Sequence, residues 1–363
     1  MRQFRTRASS RLFLIVAATS ALAATLAASA FGISGNAGVP AGAKLTASRF
    51  GKGAAENLPA KIVLAQADGS ASRIVTKAWF SFVSPDGSQV AVVDSDVNWY
   101  TDTRLELFAS AGGPSTGAVP IDCIRLYWSP DSSKLACVQF NAASKPSGLL
   151  LIDAATLAVT TLAKGFFDTQ VSFSPDSTQL AYVQLPKATY FSSRAKLKVI
   201  DLVTKAVKTV RSGGVANPAW GPTRIAFAAL KPRGRNFTSN IAVVRPDGSG
   251  FRRLTHFRPS AQLFGPRPVA WSSNGKRLLA GMEGLDAWTQ REAYAVNAVR
   301  GGLRLIAHRV SPSALSLDGR YVIGQTGDAE TTGLAGSNVV RVPWAGGKKH
   351  VLLRQAVEAS YNG

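Results

Sequence analysis

A short string recurs along the chain at nearly constant spacing, and no other feature narrows the fold as much. Its clear copies are Phe82-Val83-Ser84-Pro85-Asp86-Gly87, Tyr127-Trp128-Ser129-Pro130-Asp131-Ser132 and Ser172-Phe173-Ser174-Pro175-Asp176-Ser177. Weaker copies follow at Ala219-Trp220-Gly221-Pro222, Ala270-Trp271-Ser272-Ser273-Asn274-Gly275 and Leu315-Ser316-Leu317-Asp318-Gly319. The proline-equivalent positions 85, 130, 175, 222, 273 and 317 are 45, 45, 47, 51 and 44 residues apart. A fixed period of this size marks a repeat architecture, in which each unit buries its apolar face against its neighbours.

Each copy reads as a β-hairpin. Pro at the second turn position presets φ, Asp accepts local backbone hydrogen bonds, and Gly, Ser or Asn tolerates the position after it. An apolar strand follows every time, as in Gln89-Val90-Ala91-Val92-Val93 and Lys134-Leu135-Ala136-Cys137-Val138. A second pair of strands comes next, as in Leu149 to Asp153 with Val159 to Leu162. Four short strands per repeat make one blade of a β-propeller. Gly and Pro punctuate the chain too often for long helices.

These residues resemble the TolB-like, or PD40 (WD40-like), propeller repeat family, whose mark is a Trp-Ser-Pro-Asp-Gly hairpin followed by an Ile-Ala-Phe-like strand. The resemblance covers nearly all of the chain after the first 30 residues and implies an all-β propeller of four-stranded blades. It leaves activity open, because the repeat serves binding proteins, peptidase gating domains and a few lyases. TolB itself carries a separate α/β domain ahead of its propeller, for which residues 31–60 leave no room, so its partner-binding role is not carried over.

Six hairpins of the Pro-Asp type stand against seven outer strand pairs, since both Ile62 to Val75 and Val339 to Leu353 read as strand, turn, strand. One period beyond position 317 falls on Tyr361, and one period before position 85 falls on Pro40. Seven blades are therefore favoured over six, the last closed by strands from both termini, which leaves no open sheet edge.

Ahead of the repeats, Arg2, Arg5, Arg7 and Arg11 precede an apolar run from Leu12 to Ala28, which closes on Ala28-Ser29-Ala30. This is the pattern of a secretory signal peptide, with an uncleaved membrane anchor as the competing reading. The expected division is 1–30 signal peptide, 31–60 linker or partial blade, and 61–363 propeller. The protein is expected outside the cytoplasm, where a disulfide is permitted. Alternation along the strands puts Cys137 on the Trp128 face and Cys123 on the opposite one, which favours two buried free thiols over a bridge.

With 42 basic side chains against 21 acidic, the formal charge is +21. For an exported protein this excess suits a protein or an anionic envelope polymer as partner, with peripheral membrane or cell-wall association open and nucleic acid not expected. The alternative is that surplus Lys and Arg only confer solubility.

Catalytic groups are scarce. His256, His308 and His350 fall in successive repeats without metal-ligand spacing. The only Gly-x-Ser-Gly string, Gly32-Ile33-Ser34-Gly35, lacks the strand-to-helix setting of a nucleophile elbow. Asp94, Asp96 and Asp102 cluster in one loop, but the run lacks the Gly and distal Glu of a helix-loop-helix calcium site. The chain is therefore expected not to be an enzyme and to hold no metal or cofactor. The alternative is an envelope enzyme, lyase- or hydrolase-like, with its site in the central channel.

Long connections, such as Asp94 to Arg104, Leu185 to Lys196, Leu230 to Ser239, Thr255 to Pro268 and Glu283 to Gln290, are expected together on the face opposite the tight turns. Loops on a rigid scaffold commonly carry function, and Arg and aromatic side chains dominate interface energies. The expected partner-binding residues are Arg233, Arg235, Arg258, Arg267, Trp99, Tyr100, Tyr190 and Trp288. About half of the aromatics are expected to cap the blades instead.

Overall fold

A computed structural model describes residues 44–49, 60–95, 102–123, 125–188, 192–233, 236–258, 263–284, 292–316, 318–327 and 336–362. Its elements are strands, arranged as seven four-stranded antiparallel sheets. Near the N-terminus come β1 (Lys44–Arg49), β2 (Ala60–Gln66) and β3 (Arg73–Ala78). Blade I is β4 (Phe80–Val83), β5 (Gln89–Ser95), β6 (Thr103–Ala109) and β7 (Ser115–Pro120). Blade II is β8 (Tyr127–Trp128), β9 (Lys134–Phe140), β10 (Pro146–Asp153) and β11 (Val159–Lys164). Blade III is β12 (Phe166–Phe173), β13 (Gln179–Leu185), β14 (Lys196–Asp201) and β15 (Val207–Ser212). Blade IV is β16 (Val215–Trp220), β17 (Ile225–Arg233), β18 (Asn236–Val244) and β19 (Arg252–Arg253). Blade V is β20 (Leu263–Trp271), β21 (Arg277–Gly284), β22 (Glu292–Asn297) and β23 (Leu303–His308). Blade VI is β24 (Ser311–Leu315), β25 (Tyr321–Thr326), β26 (Asn338–Pro343) and β27 (His350–Arg354). Finally β28 (Ala356–Tyr361) pairs with β1, so blade VII has the order β28-β1-β2-β3.

Seven blades closed by both termini are thus present. The closure ends on Asn362, at the place of the motif serine. Its side chain accepts from the Lys44 amide (2.5 Å) and donates to the carbonyls of Ser84 (2.9 Å) and Pro85 (3.3 Å). Asn362 is fully buried, and it ties the last strand to both the first strand and the first blade.

The repeated turn works as its residues dictate. In blade II, Ser129 Oγ donates to Asp131 Oδ1 (2.5 Å), which also accepts from the Ser133 amide (3.0 Å). The residue after Asp takes a left-handed backbone: Gly87 at φ 71°, Ser132 and Ser177 at φ 61°. Left-handed backbone disfavours a side chain by roughly 1–2 kcal/mol, yet serine stands there twice for a reason. Ser132 Oγ accepts from the Asp86 amide of blade I, and Ser177 Oγ from the Asp131 amide of blade II, each at 3.1 Å. Gly221 replaces the motif serine in blade IV because a Cβ there would come within 2.6 Å of the Trp271 ring of blade V.

Apolar cores lie between blades. Leu105 and Leu107 of blade I share a cluster with Trp128, Leu135 and Ile152 of blade II, and similar clusters join each successive pair. The motif tryptophans add polar links, Trp128 Nε1 donating to the Phe82 carbonyl (3.1 Å) and Trp271 Nε1 to the Ala219 carbonyl (2.9 Å).

Two sequence expectations are corrected. Cys123 and Cys137 form a disulfide with their Cα atoms 6.2 Å apart. Trp128 does face Leu135, but β8 is only Tyr127–Trp128, and Asp122 has φ 49°, so strict alternation does not reach back to Cys123. Leu230 to Ser239 is not an irregular loop: β17 and β18 stay paired out to Arg233 opposite Asn236.

Candidate functional site

Three connections of blades III to V emerge at the end opposite the Ser-Pro-Asp turns. Residues 185–196, 229–239 and 254–268 contain eight Lys or Arg side chains and no Asp or Glu. Lys187, Arg194, Lys196, Lys231, Arg233 and Arg258 are exposed. The long β17–β18 hairpin carries Lys231 and Arg233 outward. Its base is fixed against blade V, where Ser239 Oγ donates to the Pro266 carbonyl (3.1 Å) and Gly265 (φ 134°) leaves no room for a Cβ beside the Ser239 carbonyl. Asn240 Oδ1 accepts from Thr255 Oγ1 (2.9 Å) and from the Phe257 amide (2.6 Å), which sets the segment leading to Arg258.

Of the sequence-predicted residues, Arg233 and Arg258 lie on this surface. Arg267 does not: it belongs to β20, the innermost strand of blade V, and is 3% exposed. Arg235, Trp99, Tyr100, Tyr190 and Trp288 lie outside the described residues. Blade I contrasts in charge. Asp94 is ion-paired with Arg104 (3.6 Å), and the Asp122 carboxylate accepts from the Asp102 amide (2.9 Å).

Sequence reasoning missed a second feature, a buried polar cluster on or next to the innermost strands. The β12–β13 register breaks between Phe167 and Val171, and the bulge holds Asp168 and Gln170. Asp168 Oδ2 accepts from the Asn217 amide (2.7 Å), and Asn217 adopts φ 51° in a similar break of β16. Gln170 Nε2 donates to the Pro218 carbonyl (3.0 Å), and Asn217 Nδ2 donates to Gln170 Oε1 (3.3 Å). Among the described residues, the buried Asn217 Oδ1 accepts no hydrogen bond. Burial pushes the Asp168 carboxyl above its ordinary range, against nearby amides and the Arg267 charge. Burial likewise pushes the Tyr127 phenol up to about 12, opposed by the Arg125 and Arg267 charges. Two buried cations, one acid with a raised pKa and a phenol are groups able to orient an anion or move a proton. Their sequence signal was a charged or amide side chain four to six residues before the motif serine, where blade I has Ala78, Trp79 and Phe80.

The histidines stand apart from this cluster. His308 lies on the outermost strand of its blade, with Nδ1 2.8 Å from Glu292 Oε1. Among the described residues no three His, Cys, Asp or Glu side chains come together to ligate a metal.

No protein-family model matches the sequence, and no curated protein matches it. Solved structures do share the fold. TolB from Acinetobacter baumannii is 14% identical with a TM-score of 0.55, over 85% of this chain and 80% of that one. An oligogalacturonate lyase in complex with manganese is 15% identical with a TM-score of 0.54, over 86% of each chain. The tricorn protease is 10% identical with a TM-score of 0.56, over 87% of this chain and 36% of that one. The likeness to TolB agrees with the repeat resemblance at the level of fold. The expectation that the chain is not an enzyme is overturned, because enzymes carry this fold at the same level of likeness as TolB. Scarcity of histidines and the missing serine elbow do not exclude catalysis. The manganese of the lyase has no matching ligand cluster among the described residues.

Proposed function

We propose that this propeller is an exported binding protein that takes an anionic envelope polymer on the loop face of blades III to V. One observation carries the reading: three neighbouring connections present exposed Lys187, Arg194, Lys231, Arg233 and Arg258 with no carboxylate among them. A cluster of exposed cations on a rigid scaffold raises the local concentration of an anion and its association rate. Export is supported by residues 1–30 and by the Cys123–Cys137 disulfide, a bond that persists in oxidising compartments. The test is retention on immobilised polygalacturonate across a salt series. Lys231→Glu/Arg233→Glu/Arg258→Glu should weaken retention at least tenfold, and wild-type retention should fall as salt screens the charges. Retention indifferent to both would overturn the proposal.

A second reading, turnover of the bound anion at the innermost strands, is favoured by the buried Asp168 beside Asn217 and within the field of Arg267. It predicts product release from acidic polysaccharides, lost in Asp168→Asn while polymer retention persists. If wild type releases no product, the second reading is discarded and the binding face is untouched.

A further inference from the structure

Blade V alone has two turns without a carboxylate. Every other blade keeps at least one, such as Asp86 in blade I, Asp131 and Asp153 in blade II, Asp247 in blade IV and Asp318 in blade VI. The hydrogen bonds of those carboxylates survive in blade V. Asn274 Oδ1 accepts from Ser272 Oγ (2.9 Å) and the Lys276 amide (3.0 Å), as Asp131 does from Ser129 and Ser133. Asn297 Oδ1 accepts from the amides of Val299 (2.9 Å) and Arg300 (2.8 Å), as Asp201 does from Val203 and Thr204. Turn geometry is kept and the negative charge is gone.

Both turns border a cleft of about 380 Å³ between blades V and VI, lined in part by Lys276, Arg277, Asn297, Arg304 and Trp344. No carboxylate lines it. Its two arginines are held in place by the neighbouring blade. Arg304 donates from Nη1 to the Ala345 carbonyl (3.1 Å) and from Nη2 to the Trp344 carbonyl (2.7 Å). Arg277 donates to the Gly319 carbonyl (2.7 Å), with its guanidinium 5.5 Å from the Trp344 ring centre. The turn carboxylate of blade VI, Asp318, is 3.7 Å from Arg320 and does not line the cleft.

We propose that this cleft binds a phosphorylated sugar. Three cations without a counter-carboxylate match a phosphate monoester, which carries about −1.5 to −2 at pH 7 on three acceptor oxygens, better than a single carboxylate. The Trp344 indole supplies a flat apolar wall for the sugar ring, and the volume falls in the small-ligand range of roughly 300–1,000 Å³. The site lies at the opposite end of the molecule from the basic loop face and stands independently of it.

The test restores the missing charges without disturbing the turns. Glucose 6-phosphate, glucuronate and glucose are titrated into the full chain by calorimetry, with Asn274→Asp/Asn297→Asp and Lys276→Gln as variants. Glucose 6-phosphate should bind wild type at least tenfold more tightly than glucuronate and without detectable binding of glucose. The double Asp variant should melt like wild type and lose at least tenfold in affinity, and Lys276→Gln should lose several-fold. Lys231→Glu/Arg233→Glu should leave the titration unchanged. No binding of glucose 6-phosphate, equal binding of glucose, or full affinity in the double Asp variant would each overturn the proposal.

Discussion

The two ends of this propeller are built on opposite rules. At the turn end, Ser84, Ser129, Ser174, Ser272 and Ser316 each donate to the Asp or Asn two residues on, and the same contacts return blade after blade. At the loop end the described residues differ from blade to blade: blade I presents aspartates, blade IV extends a hairpin, and blades III to V present cations without acids. Periodic residues answer a need that every blade shares, which is packing. Aperiodic residues on a periodic frame answer a need of one place, and function has one place. The rule also works in reverse, since blade V, the one blade whose two turns both lack a carboxylate, borders the cationic cleft.

If architecture resides in the repeated end, its defects should be the most damaging. Removing residues 356–363 deletes the innermost strand of blade VII and should abolish the cooperative thermal transition. Asn362→Ala keeps that strand and removes only its latch. Each buried group left unsatisfied costs about 1–3 kcal/mol, and the Ser84 carbonyl and Lys44 amide are both affected. A loss of roughly 3 kcal/mol in urea unfolding is expected. A loss below 1 kcal/mol would mean that closure rests on strand pairing alone.

The disulfide sharpens the same contrast within one blade. Cys123 and Cys137 are 14 residues apart in sequence, and a loop of about 15 residues corresponds to about 3 kcal/mol. Cys137→Ser should lose about that amount, with wild type under reducing conditions following it.

The hairpin string at a near-constant period made blade identity and count legible, and its next step, at position 361, exposed the split blade, while position 40 lies outside the described residues. Cys123 was not legible, because the pattern gives alternation but not where a strand begins, and β8 begins only at Tyr127. Asp168 and Asn217 were missed, and Arg267 was expected on the loop face instead of in the interior, for a related reason. Bulges in the innermost strands turn these side chains to positions that no period-two count reaches. The exposure of Arg233 and Arg258 was legible because local composition alone marks an acid-free stretch.

Titration should separate turn carboxylates from the buried one. Burial raises Asp131, but hydrogen bonds from Ser129 and Ser133 outweigh it and hold its carboxyl below 3.8. Its stabilisation is complete above about that pH and is lost as the pH falls below it. Asp168 has the opposite sign: raised above 3.8 by burial, it favours folding most below that value and loses this contribution as the pH rises through its folded range. Asp131→Asn should therefore flatten the acid side of a stability profile, and Asp168→Asn should remove a loss that develops above pH 3.8. Parallel profiles for the two variants would erase the distinction.

The smallest effect on folding is expected where the largest effect on binding is proposed. Lys231 and Arg233 stand exposed near the tip of a paired hairpin whose anchoring contacts are at its base, through Ser239 and Asn240. Surface substitutions away from such contacts usually stay within about 0.5 kcal/mol. Lys231→Glu/Arg233→Glu should unfold in urea within that margin of wild type while its retention on polyanion drops. A destabilisation above 2 kcal/mol would assign the two cations to the frame, and the loop face would then follow the rule of the turn face.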